Sequence, residues 1–138
     1  MRNKKQTGYI FSVYKEETDQ HLNKLNHEST LGSLTRLGGV FKQIVENVGN
    51  ESRLSIYIEQ NDNNNNTTEL RQFVRALCIQ HDQESFLEIS PDRLVKRYTS
   101  SGESQVLGNL VNVSQDEAQT DSAFIYCPKT EQHYVVRL

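Results

Sequence analysis

Apolar positions recur along this chain with two different periods, and the switches between them mark out its elements. Leu70, Phe73, Val74 and Leu77 follow one another at i, i+3, i+4 and i+7, the stripe that an amphipathic helix lays against a core. Asn66 ahead of Glu69 has the spacing of a helix N-cap with a carboxylate reaching back, so the helix is predicted to start there. A short, partly apolar run over 85–89 then reads as a strand. Near the N-terminus Tyr9, Phe11 and Val13 alternate with Ile10, Ser12 and Tyr14, which predicts a strand over 7–14 covered on both sides. Residues 16–37 are polar and helix-permissive, with Glu16, Glu17 and Asp19 at the positive end of the dipole. Over 53–59, Leu54, Ile56 and Ile58 face one way while Arg53, Ser55, Tyr57 and Glu59 face the other, a half-buried strand.

The segment between these elements admits two readings. Leu34, Leu37, Phe41, Ile44, Val45 and Val48 fit one helical stripe closed by Gly49. That helix would carry Gly38 and Gly39 inside it, at a cost of roughly 2 kcal/mol relative to alanine. In the alternative the helix stops at the two glycines, 40–48 is a strand, and Gly49-Asn50 turns it into the next. Residues 60–66 form a polar, Asn-rich loop. Ser90-Pro91-Asp92 is a turn signal, after which 94–98, 105–113, 123–127 and 134–138 read as short strands joined by polar turns. Such spacing suggests an antiparallel meander.

Asn26 stands ahead of Leu31, Leu34 and Leu37; Glu51-Ser52 precedes Leu54; Gln83-Glu84-Ser85-Phe86-Leu87 follows the second helix; and Leu107-Gly108 adds a Leu-Gly step. In these features, an Asn-headed helix, a Glu-x-Ser-like strand start and a Gln-Glu-Ser strand, the chain resembles a family of small bacterial and phage α+β proteins of unknown function. The resemblance implies the hairpin reading of 40–59. The expected fold is then α+β, a ferredoxin-like βαββαβ core extended by a C-terminal antiparallel β-meander. It carries no activity with it.

Composition narrows the field. At 138 residues the chain is one domain, 1–138, with a basic tail over 1–6. Its net charge of −3, with both signs interspersed, gives no electrostatic footprint for nucleic acid. Cys78 and Cys127 are too few for a disulfide scaffold. No apolar run approaches the ~20 residues of a membrane span, and the N-terminus lacks the apolar segment of a signal peptide. The expected location is cytoplasmic, away from any membrane.

Candidate chemistry is sparse. His81, Asp82 and Ser85 crowd one helix-to-strand corner, whereas a catalytic triad draws its members from separate elements. His21 and His27 lack metal-ligand spacing, and no phosphate loop occurs. Glu88 reads as a solvated outward carboxylate. The expectation is therefore no catalytic, cofactor or metal residue. Arg71 and Arg75, spaced i, i+4 on the outer face of the second helix, form a candidate docking patch for an acidic partner. The reading this supports is a non-enzymatic, intracellular protein-binding module, encoded by a phage or mobile element and inhibiting a host defence protein. The alternative is weak single-stranded nucleic-acid binding, with Tyr14 and Tyr57 stacking bases on an open sheet face.

Overall fold

The chain resolves the ambiguity over 40–59 in favour of the hairpin. β2 (Val40–Val48) pairs antiparallel with β3 (Glu51–Glu59) without a break, from Val40 opposite Glu59 to Val48 opposite Glu51. This computed structural model describes residues 6–15, 19–36, 40–49, 51–59, 67–121 and 123–138, with the backbone alone at 36 and 67–69. Gly38 and Gly39 as a helix stop, Asn66 with Glu69 as a cap, and the loop over 60–66 all lie outside the described residues.

β1 (Gly8–Phe11) leads to helix α1 (Gln20–Arg36), the hairpin, helix α2 (Thr67–Gln80) and then β4 (Ser85–Ile89). β5 (Leu94–Thr99), β6 (Ser104–Val113), the short helix α3 (Gln115–Gln119), β7 (Ala123–Cys127) and β8 (Gln132–Arg137) complete it. The strands close into an antiparallel barrel in the order β1-β3-β2-β7-β8-β6-β5-β4. This corrects the expectation of a ferredoxin-like core with an appended meander. A ferredoxin-like sheet has two free edges and an open face. Here β2 is paired with β7 and β4 with β5, so both edges are consumed and the second face becomes a lumen. Nor are the last four strands a simple meander: β8 inserts between β6 and β7, so the chain passes over it from β6 to β7 through α3.

α3 falls in a segment expected to be a turn. Its start is nevertheless written in the sequence, since Ser114 caps it by accepting a hydrogen bond from the Glu117 amide, 3.1 Å away.

Two cores follow from the closed sheet. Tyr9, Phe11, Ile56, Ile58 and Phe86 on the outer wall meet Leu34 of α1 and Val74 and Cys78 of α2. Ile10, Ile44, Ile89, Val95, Ile125 and Cys127 fill the middle of the lumen. β1 contributes to both, as anticipated for a strand covered on both sides. A bulge opposite Val95 and Lys96 bends β6, and Gly108 there has φ 141°. A Cβ at that position would fall onto the Arg137 carbonyl.

α1 inverts the usual pattern. Its buried stripe is Asn23, His27, Thr30 and Leu34, spaced i, i+4, i+7, i+11, while Leu22 and Leu25 are half exposed. Asn23 and Thr30 are satisfied where they lie, and His27 only at Nε2, which meets Gln43 Oε1 at 3.0 Å. The Asn23 amide both donates to and accepts from the Lys15 backbone at 2.9 Å, and Thr30 Oγ1 donates to the Asn26 carbonyl at 2.8 Å.

Candidate functional site in the barrel lumen

The face of β3 that the sequence marks as polar is the face that lines the lumen. Ser55 and Tyr57 stand opposite Ile44 and Lys42 in the β2–β3 register, and the Ile44 side chain belongs to the lumen core. By the two-residue period Arg53 and Glu59 point the same way. On neighbouring strands the matching positions are Ile10 in β1, Leu87 and Ile89 in β4, and Tyr134 and Val136 in β8.

Eight strands enclose a bore that side chains can fill completely or that can hold one small ligand. This bore is not filled. At the end where β2 finishes and β7 begins, a cavity of about 600 Å³ reaches inward, walled by Ile10, Leu87, Leu107, Ile125 and Val136. Voids in packed interiors seldom exceed a water molecule, whereas pockets for small organic molecules run to about 300–1,000 Å³.

Charge is gathered at the mouth. Arg53 pairs with Glu46 at 3.3 Å across the hairpin, and Arg137 pairs with Glu117 and Asp121 at 2.8 and 3.5 Å. Arg97 differs: its guanidinium donates to the Gln105 side-chain oxygen at 3.0 Å, a neutral acceptor. Among the described residues lining this cavity, it is the cation without a carboxylate partner.

The residues singled out from the sequence lie elsewhere or play other parts. Tyr57 is inside the barrel, and its hydroxyl donates to Glu59 at 3.1 Å; burial, then the Glu59 charge, hold its pKa well above the ordinary range. Tyr14 lies beyond β1 with its ring edge-on to His27 of α1. The two tyrosines share no face, so the stacking platform for bases is not formed. Arg71 is turned inward: its Nε and a terminal nitrogen each lie 2.8 Å from Glu88 Oε2, and its guanidinium stacks 4.8 Å from the Tyr98 ring centroid. Arg75 Nε donates to the Ser100 carbonyl at 2.8 Å. The Arg71 charge is thus paired with Glu88, whereas Arg75 meets a neutral acceptor. Glu88, read as outward and solvated, is 7 % exposed and also accepts the Tyr9 hydroxyl at 2.7 Å.

The corner holding His81, Asp82 and Ser85 is a helix stop. Asp82 adopts φ 55° while the Gln83 amide reaches back to the Cys78 carbonyl at 2.8 Å and the Asp82 amide to the Ile79 carbonyl at 3.2 Å. Asp82 also pairs with Lys15 at 3.1 Å. Among the described residues no group of three or more His, Cys, Asp or Glu converges to hold a metal.

Of the lumen residues, Arg97 had no part in the sequence reading, and Leu107 entered it only through the Leu-Gly step. The available signal was the alternation in β5 and β6, which places them on one face but not on a lumen. No family model and no curated protein matches this chain. Among the described residues no helix is long and apolar enough to cross a membrane.

Proposed function

We propose that this protein binds a small amphipathic molecule, its apolar body inside the barrel and an anionic head at Arg97. The observation that carries this is the unfilled lumen, a cavity of about 600 Å³ with an apolar wall and an arginine at its mouth. Burying apolar ligand surface at ~25 cal/mol per Å² supplies the affinity, and a charge-assisted bond from Arg97 orients the head. We assign binding and no reaction.

Two fluorescent probes test it: anilinonaphthalene sulfonate, an amphipathic anion, and phenylnaphthylamine, its uncharged counterpart. Both should bind saturably, one per chain, to the native protein well below its cooperative melting transition. Arg97→Gln should weaken the anion by about tenfold, one charge-assisted bond, and leave the neutral probe unchanged. Leu107→Trp should narrow the cavity and weaken both. No saturable binding, or undiminished binding in the tryptophan variant, refutes the reading. A host protein recovered in stoichiometric complex while both probes are excluded would favour the partner-binding reading of the sequence instead.

A further inference from the structure

The opposite end of the barrel holds a second chamber of different chemistry. It has about 100 Å³ of space, lined by Lys42, Tyr57, Glu59, Arg93, Cys127 and Tyr134. That is room for about three water molecules at ~30 Å³ each, too little for the amphipathic body proposed for the larger cavity. Ile10, Ile125 and Tyr134 line both cavities and so stand between them.

Its tyrosyl protons are already committed. Tyr57 donates to Glu59, and Tyr134 donates to Gln132 Oε1 at 2.7 Å. The charged donors that remain are the two cations. Lys42 Nζ lies 5.9 Å from the Tyr57 ring centroid, and neither it nor the Arg93 guanidinium has an ion pair or hydrogen bond to another described residue. With Glu59 as the one carboxylate in the lining, two cations against one anion leave a single positive charge.

Arg93 is also held in a backbone conformation that suits glycine. Its φ is 73°, fixed by its amide donating to the Ser90 carbonyl at 2.9 Å and its carbonyl accepting from Leu110 at 2.8 Å. An arginine kept in the left-handed region carries backbone strain that glycine would avoid, and its side chain lines the chamber.

We propose that this chamber binds a small oxyanion, such as inorganic phosphate, sulfate or a short carboxylate, between Lys42 and Arg93. Its charge completes the neutralisation that Glu59 begins, and its oxygens accept from both cations.

The test compares phosphate, sulfate and acetate with chloride at equal ionic strength, by thermal melting and by calorimetric titration. In the unaltered protein at least one oxyanion should raise the melting temperature saturably above chloride. Arg93→Gly relieves the strained turn, so that variant should melt in chloride no lower than the parent. Its oxyanion affinity should fall by about tenfold or more, the loss of one charge-assisted contact. Lys42→Met should weaken binding similarly, while Arg97→Gln at the other mouth should leave it unchanged. Equal melting in all four salts overturns the proposal. So does wild-type affinity in Arg93→Gly, or loss of oxyanion binding in Arg97→Gln.

Discussion

His27 shows how one buried side chain ties stability to pH. It is 1 % exposed, its Nε2 meets Gln43 Oε1 at 3.0 Å, and its Nδ1 has no hydrogen-bond partner among the described residues. Burial lowers its pKa below 6.5, and Gln43 and Glu28 offset this only in part. In the acid range the unfolded chain therefore takes up a proton that the folded chain refuses. The stability His27 confers is complete above its unfolded pKa of about 6.5 and is lost as pH falls through the lower folded value. His81 is shifted in the same direction, by burial and then by Lys15. Urea melts should show a falling midpoint from about pH 7.5 to about pH 5.5, and His27→Gln should flatten that slope. An identical slope in the variant would move the titration to another group.

At the level of elements, α2 is fastened to the barrel by an apolar stripe and a polar clamp. Val74 and Cys78 are fully buried, with Leu70, Phe73 and Leu77 packed beside them, each fully buried side chain contributing about 1.5–3 kcal/mol. The clamp is Arg71 on Glu88, which also accepts the Tyr9 hydroxyl. Removing the arginine strands a carboxylate inside the wall, an error that costs 3–5 kcal/mol in a dry interior. Arg71 retains 32 % side-chain exposure, so Arg71→Ala should destabilise by about 2–3 kcal/mol in a urea melt. Tyr9→Phe, which removes the hydroxyl's bond to Glu88 and leaves the ion pair, should cost about 1 kcal/mol. If Arg71→Ala cost no more than an exposed ion pair, under about 0.5 kcal/mol, the clamp would be a solvated contact.

At the scale of the whole molecule, closure protects strands that an open sheet would leave half free. β2 is bonded to β3 on one side and, over Val45 to Val48, to β7 on the other. Amide hydrogen exchange should therefore find consecutive amides from 45 to 48 protected rather than alternate ones. An alternating pattern in which every second amide exchanges at the unprotected rate would mean that β2 is an edge and the barrel is open. Closure also creates the cavities, because the positions opposite the helices are turned toward one another around a bore wider than their side chains fill.

The local periods were enough to place most elements. The stripe from Leu70 to Leu77 is α2, the alternation over 53–59 lies within β3, and the C-terminal strands fall close to where turn residues bound them. These features depend on residues a few positions apart, and so do caps and turns. The α1 stripe of Asn23, His27 and Thr30 escaped that logic, because polar side chains can take core positions when partners such as Lys15, Gln43 and Asn26 meet them there. Tertiary pairing decided the rest. Nothing local distinguishes a strand whose polar face meets water from one whose polar face meets a lumen: Arg53, Ser55, Tyr57 and Glu59 read the same in either case. Only the pairing of β2 with β7 and of β4 with β5, strands distant in the chain, turned that face inward and set Arg97 and Arg93 at opposite ends of one barrel.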